Sequence, residues 1–476
     1  MSKDLSYKAV MSRRKEIMEK ALGMDYSEFI KSPLAFDYEG MMQKVGYSLD
    51  RVRAIQSEVA VGNTPLIELR NITELVRRTS KPGMGARILI KDEAANPSGS
   101  FKDRRASISV YHAKTHGYKG VLAATSGNYG AAVASQAAIR GLDCIIVQET
   151  FDSRHVGQPE IVEKSRKCEA FGAEVVQLTV GPELFYVALM LLEETGFFNA
   201  SLYSPFGIAG IETLGYEVVE QCRDRYRKDP AYVVVTHAGG GNVTGTARGV
   251  KKAGAANTII IGASVDLTGL HMASDTDFNK KSFTTGHTGF GVPFATWPDR
   301  TDVPRNAARP LRYMDRYVLV TQGEVFYVTQ ALAEVEGLER GPAGNTSLAA
   351  AIALARELPE DELVVVQETE YTGAGKHPQA QLNFAKENGV VVRRGDPREN
   401  VPGKAIVIPE DFSQLHVTEF PMDKLKKSYL KNAVERTGVE EVTEEDVEFL
   451  AEDSRQDVND VISYLKELGV RLVGKA

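Results

Sequence analysis

From about residue 60 to about 395 the chain alternates short apolar, β-branched runs with stretches of helical pattern, and no other feature narrows its folds as far. The runs 87–90, 120–124, 143–148, 174–178, 232–236, 258–265 and 362–367 read as buried strands. Helical patterns fall between them, for example at 131–139, 160–171, 183–194 and 347–357. Strands separated by helices need right-handed crossovers, so the chain is predicted to be α/β with mostly parallel sheets. Residues 116–204 make a compact series of their own, which predicts a smaller α/β domain inserted into a larger one built from 61–115 and 205–394.

Both ends extend beyond this core. Residues 1–60 read as a helical extension rich in charge and methionine. The turn-rich stretch 395–403 marks the start of a partly helical C-terminal extension, 395–476. Within it Thr443 and Asp446 are spaced as a capping box. Val447, Leu450, Val458, Val461, Ile462 and Leu465 supply an apolar stripe. Such a stripe packs on its own core or on another chain. The expectation is the second: a homo-oligomer that also docks a small partner, partly through these segments, against the alternative that both extensions merely cover the core of a single chain.

Composition removes several classes of partner. A net charge of -7 in 476 residues argues against nucleic acid and anionic membranes, both of which favour a basic face. Residues 1–20 are charged throughout and lack the apolar run of a signal peptide. No stretch approaches the roughly 18 apolar residues of a membrane span. Cys144, Cys168 and Cys222 are widely spaced, fit no zinc pattern and suggest a reducing compartment, so a cytoplasmic protein without a metal site is expected. For Cys168 and Cys222 a buried structural place is the reading to weigh against an acyl-relay role.

Four glycine-punctuated turns follow the expected strands, and open parallel sheets gather ligands beyond the carboxyl ends of their strands. In Asn96-Pro97-Ser98-Gly99-Ser100-Phe101-Lys102-Asp103-Arg104 a lysine opens a helix. The positive end of the helix dipole disfavours the ammonium, and a neutral amine is what attack on an aldehyde requires. A solvated surface lysine is the plain alternative. Thr125-Ser126-Gly127-Asn128-Tyr129-Gly130 offers an amide donor and glycines that let backbone N–H groups approach a ligand, or is simply a turn. Gly239-Gly240-Gly241-Asn242-Val243-Thr244-Gly245 can cradle a phosphate at a helix start. A dinucleotide loop reaching Asp266 competes, but its fingerprint needs glycine or alanine where Thr244 stands. The fourth turn is Thr369-Glu370-Tyr371-Thr372-Gly373-Ala374-Gly375-Lys376.

Ser-Phe-Lys-Asp-Arg preceded by Asn-Pro-Ser-Gly resembles the Schiff-base motif of the fold type II, or tryptophan-synthase-β, family of pyridoxal-phosphate enzymes, and the other turns occur in that family's order. The resemblance covers roughly residues 60–390. It implies two open twisted sheets flanked by helices, with pyridoxal 5′-phosphate between the domains. It also implies that Lys102 carries the cofactor and then serves as local acid and base, and that Asn128 bonds the phenolic oxygen. Thr125, Ser126 and Asn128 would hold the substrate carboxylate. Gly239, Gly240, Gly241 and Asn242 would form the phosphate cup, and Thr372 would meet the pyridine nitrogen. A hydroxyl at that nitrogen leaves the ring a weaker electron sink than a carboxylate does.

Two departures separate the chain from a plain serine or threonine dehydratase. Gly341-Pro342-Ala343-Gly344-Asn345 has glycine where family members often carry glutamate, and the two extensions exceed a minimal dehydratase. Across its whole length, including residues 1–22 and 367–379, the chain resembles a branch whose members are the larger subunits of two-subunit, coenzyme-A-dependent thiolases. That narrower likeness implies a small amino-acid substrate, coenzyme A and a small second subunit. The nearest competitor is β- or γ-elimination or replacement, as in threonine synthases and diaminopropionate lyases. A nucleotide-dependent dehydrogenase built on the Gly239 loop and a cofactor-free regulator are the rivals from other classes.

Overall fold

The computed structural model describes residues 4–125, 127–151, 155–157, 159–179, 183–267, 303–371 and 376–474. Two sheets organise them. The larger has seven strands in the order β1 (Leu66–Glu68), β2 (Arg87–Asp92), β10 (Leu363–Glu368), β7 (Tyr232–Thr236), β8 (Ile259–Val265), β9 (Arg316–Val320) and β13 (Thr418–Glu419). Its five inner strands are parallel, while β1 and β13 pair antiparallel at the two edges. The smaller sheet is wholly parallel, in the order β5 (Glu174–Thr179), β4 (Asp143–Phe151), β3 (Gly120–Ala124) and β6 (Phe198–Asn199). The strands β11 (Val391–Arg394) and β12 (Ala405–Ile408) form a separate parallel pair.

Burial on both faces explains why the central strands are such continuous apolar runs. In β10, Leu363, Val364, Val365 and Val366 are all buried, on alternate sides of the sheet. Val364 and Val366 join one apolar cluster with Val234, Ile261 and the alanine-rich helix Pro342–Leu354, while Leu363 and Val365 join the main cluster on the other side.

The helix Pro205–Tyr226 is the longest of the described elements, and the sequence patterns above include no helix there. Its glycines look like turn punctuation in one dimension. In three they are crossing points: a Cβ at Gly210 would strike the carbonyl oxygen of Arg104, and one at Gly215 that of Thr246. The helix thus lies close against both Lys102–Thr115 and Gly241–Lys252, the two helices that begin at the lysine and glycine turns.

The two extensions pack on each other and on the core. Asp446 caps the helix Glu444–Ser454 through the capping box with Thr443, and its other oxygen accepts from the backbone N–H of Leu34 at 3.0 Å. Tyr38 stacks on Phe449 at 6.1 Å between centroids. Val447, Leu450, Val461 and Leu465 are buried within the chain and Ile462 is half-buried, leaving Val458 exposed. For these positions the option of self-coverage holds, and the stripe is not free for another chain. No helix among the described residues is long and apolar enough to cross a membrane.

Candidate active site

Lys102 is the first residue of the helix Lys102–Thr115, and the turn before it is fixed at every step. Gly99 takes a positive φ of 77°, a conformation that costs glycine little, and so reverses the chain just ahead of the helix. The Ser98 N–H donates to Asp103 at 2.7 Å. The Phe101 N–H donates to the Thr369 carbonyl at 3.0 Å, and the Tyr371 N–H to the Gly99 carbonyl at 2.8 Å. The continuation of β10 is thereby stitched along the lysine turn. The Lys102 amine lies 4.5 Å from the centroid of the Phe101 ring, and the residue is half-buried. Burial pushes its pKa well down, and the Arg105 guanidinium pushes the same way against an opposing pull from Glu370. A neutral amine is therefore favoured chiefly through desolvation, rather than through the helix dipole as expected.

The loop after β3 leads into a helix that packs on the lysine helix. Thr125 is buried, accepts from the Gly127 N–H at 3.3 Å, and precedes Asn128 at the start of the helix Asn128–Arg140. That helix reaches the lysine helix through Gln136, which donates to Asp103 at 3.3 Å. Ser126 lies outside the described residues, as does Thr372.

After β7 the chain turns through Gly239 and Gly240 into the helix Gly241–Lys252. Gly240 adopts a φ of +81°, in the left-handed region. Among the described residues no side chain caps this helix, so the N–H groups of its first turn are left without a side-chain acceptor. Asn242 is buried, and among the described residues its side-chain oxygen has no hydrogen-bond partner. Substituents at this turn have no room, since a Cβ on Gly239 would meet the Tyr203 hydroxyl and one on Gly241 the Arg105 guanidinium. Through Arg105 the glycine turn and the lysine helix come together.

Several charged groups here are not singled out by the sequence. The helix Pro159–Ala170 brings in Lys164, paired with Glu160, and Lys167, which donates to the Ser98 carbonyl. Burial opposes the charge on Lys164, but Glu160 and Glu370 outweigh it and raise its pKa. Glu368 and Glu370, at the end of β10, are fully buried. Burial, reinforced by Glu370, raises Glu368 well above the usual carboxylate range. Gly344 is small for a reason, as a side chain there would overlap the Glu368 carboxyl. So although residue 341 is glycine, the Glu368 carboxyl stands against this turn, and the Gly341 N–H donates to the Glu370 carbonyl at 3.1 Å. Charged residues at a strand's carboxyl end were the available signal. Cys168 and Cys222 are buried and pushed up to about 12 by desolvation, so neither is a thiolate near neutral pH and both fit structural places.

Residues 58–370 match the family described as "Pyridoxal-phosphate dependent enzyme". The chain belongs to this family, in its fold type II branch. Among curated relatives, a 2-amino-4-ketopentanoate thiolase beta subunit from an unknown prokaryotic organism is 78% identical over 99% of this chain and 100% of its own length. Another protein of that name, from Acetoanaerobium sticklandii, is 63% identical over 98% of this chain and 100% of its own. A solved threonine deaminase, from T.th., has a TM-score of 0.54 at 23% identity, covering 69% of this chain and 99% of that one, a likeness of fold. The pyridoxal-phosphate cofactor of the family fits the residues present. A cradle without room for Cβ atoms, uncapped amides at a helix start and a desolvated lysine amine suit a phosphorylated aldehyde.

Asp103 gives a test by pH. Burial raises it to about 6, against the hydrogen bonds from Ser98 that favour its charged form. Because its folded pKa lies above the unfolded value near 4, the unfolded chain gives up this proton first as pH rises. Its contribution is complete below about pH 4 and is lost as pH rises through about 6. Asp103→Asn should flatten this part of the curve of thermal midpoint against pH. An unchanged slope between pH 4 and 6 would assign the dependence to another group.

Proposed function

We propose that the chain is the cofactor-bearing subunit of a thiolase that cleaves 2-amino-4-ketopentanoate with coenzyme A, giving acetyl-CoA and alanine in ornithine degradation. The observation that carries this reading is the end-to-end identity of 78% with a protein of that name, which includes both extensions. The term "beta subunit" in the relatives' names supports a second subunit as partner, which this reading takes to be small, and the cytoplasm suits the three free cysteines. Association with further copies of this chain would use surfaces other than the buried C-terminal stripe. In this reading residues 116–204, with the smaller sheet, are a domain inserted between 61–115 and 205–394.

The residue roles are those that the family resemblance implies for the matching positions. When bound, the cofactor supplies an electron sink next to the substrate's amino carbon. Lys102 carries it, takes the proton from Cα as a neutral base and can return it there. Thr125, Ser126 and Asn128 would hold the substrate carboxylate, and Asn128 would also bond the cofactor's phenolic oxygen. Gly239, Gly240, Gly241 and Asn242 would hold the phosphate, and Thr372 is the residue assigned to the pyridine nitrogen. The coenzyme A sulfur bonds to the C4 carbonyl carbon and the C3–C4 bond breaks. The acetyl group leaves on sulfur, and C3 gains the proton given up by the thiol, so that the three-carbon fragment is alanine.

The test is product analysis by mass spectrometry, using the purified chain with its small subunit. Acetyl-CoA and alanine should form in equal amounts, and only with coenzyme A present. Ammonia or a replacement product formed without coenzyme A would instead place the chain with elimination and replacement enzymes.

A further inference from the structure

Adjacent arginines on the helix Lys102–Thr115 have opposite surroundings. Arg104 is fully buried and saturated: its three nitrogens donate to Glu93, Glu217, Thr213 and Thr64 at 2.7 to 3.3 Å. Arg105 is 1% exposed, yet among the described residues only one terminal nitrogen has an acceptor, the Leu202 carbonyl at 2.7 Å. Its Nε has none, and among the described residues no carboxylate pairs with it. Burial lowers its pKa to about 10, which still leaves it charged at neutral pH.

Its place in the site gives that charge a use. The guanidinium lies against Gly241, the first residue of the helix Gly241–Lys252; a Cβ there would be 3.1 Å from the Cζ and Nη1 of Arg105 and closer still to Nη2. The uncapped amides and positive dipole end of that helix occupy the same spot. The guanidinium also lies 5.7 Å from the centroid of the Phe101 ring, but a full positive charge and a helix N-terminus repel each other, and a buried cation without a counter-charge is costly. Together they suit one class of ligand, a compact dianion with several acceptor oxygens. A planar fork of donors beside a row of amides is matched to a phosphate monoester.

We propose that Arg105 is a phosphate ligand, supplying the counter-charge for the dianion of the pyridoxal phosphate that the Gly239–Gly240–Gly241 turn cradles. The proposal rests on the assignment of that turn as the phosphate cup and is independent of the thiolase reaction. Arg105 makes the glycine cup selective for the phosphorylated cofactor, and binding of the dianion relieves the repulsion stored in the apoenzyme.

The experiment uses apoenzyme of the full chain, freed of cofactor, and reads affinity for pyridoxal phosphate and for pyridoxal by fluorescence titration. It also reads the thermal midpoint with inorganic phosphate against chloride at equal ionic strength. Wild type should prefer the phosphorylated form and be stabilised by phosphate. Arg105→Gln should lose about ten- to a hundredfold of that preference, with little change in pyridoxal affinity, and most of the phosphate stabilisation. The variant apoenzyme should melt no lower than the wild-type apoenzyme, because the unpaired cation is gone. An Arg105→Gln protein that keeps its preference overturns the proposal. Equal destabilisation of apo and cofactor-loaded forms also overturns it, making Arg105 purely structural. If Arg105→Gln fails to fold, Arg105→Lys decides. It should lose about three- to tenfold for pyridoxal phosphate and nothing for pyridoxal, and an equal loss for both overturns the proposal. A wild type without preference would refute the placement of the cup itself, a result distinct from failure of Arg105.

Discussion

Lys102→Ala is expected to lower the rate of coenzyme-A-dependent cleavage by about four orders of magnitude and to abolish the visible absorbance of the tethered cofactor. The side chain acts as covalent tether and as base, so its loss removes two functions at once. The fold should survive. The amine makes no ion pair among the described residues, and desolvation already disfavours its charge, so truncation removes a cost along with the function. Circular dichroism and the thermal midpoint of the apoenzyme check this half of the prediction, while single-turnover kinetics check the other. A small primary amine added to the variant should restore part of the rate, since it can occupy the space and accept a proton. Retention of more than about a tenth of the wild-type rate would remove Lys102 from the chemistry.

Elements buried on both faces were the most legible. The run 232–236 is β7 to the residue and 120–124 is β3, because sites enclosed by helices on both sides accept little but valine, isoleucine and alanine. Elements whose logic is distant were hidden. The strand β9 opens on Arg316, whose charge is met by Glu357 and Glu419, 41 and 103 residues further along. A local window holds no trace of those partners. The helix Pro205–Tyr226 was obscured by glycines that exist for its neighbours' backbones. At the site, a lysine in a distinctive motif could be picked out, and so could the glycine turn. Arg105 could not, because its meaning lies in which of two adjacent arginines finds carboxylates, and that depends on the helix Pro205–Tyr226 and on the short 3-10 turn Glu93–Ala95. Lys164 and Glu370 were likewise ordinary surface residue types until β10 and the helix Pro159–Ala170 brought them beside Lys102.

The helix bearing Lys102 is locked in place by buried charges, and breaking that lock should have the largest effect on stability. Arg104 donates to both oxygens of Glu93, at 2.7 and 2.8 Å, and to both of Glu217, at 2.9 and 2.8 Å. Lys91 donates to Glu217 at 2.8 Å and to the Thr64 carbonyl at 2.7 Å. Two cations therefore face two carboxylates, in a region where Arg104, Glu93 and Lys91 have no exposure. Burial would raise Glu217, but Arg104 and then Lys91 outweigh it and hold the carboxyl far below the usual range. Glu217→Gln keeps the shape and leaves two buried cations sharing one carboxylate. Removing one partner of such a network costs about 3–5 kcal/mol. Burial already lowers the pKa of Lys91 against the pull of Glu217, so the variant should depress it further. A lysine with a lowered folded pKa binds protons more readily when unfolded, so its stability term is lost as pH falls through the folded value. Urea unfolding of the variant should therefore show a midpoint that falls well below wild type and recovers as pH is raised. A loss under about 1 kcal/mol, independent of pH, would mean that the helix is held by its apolar contacts and not by this network.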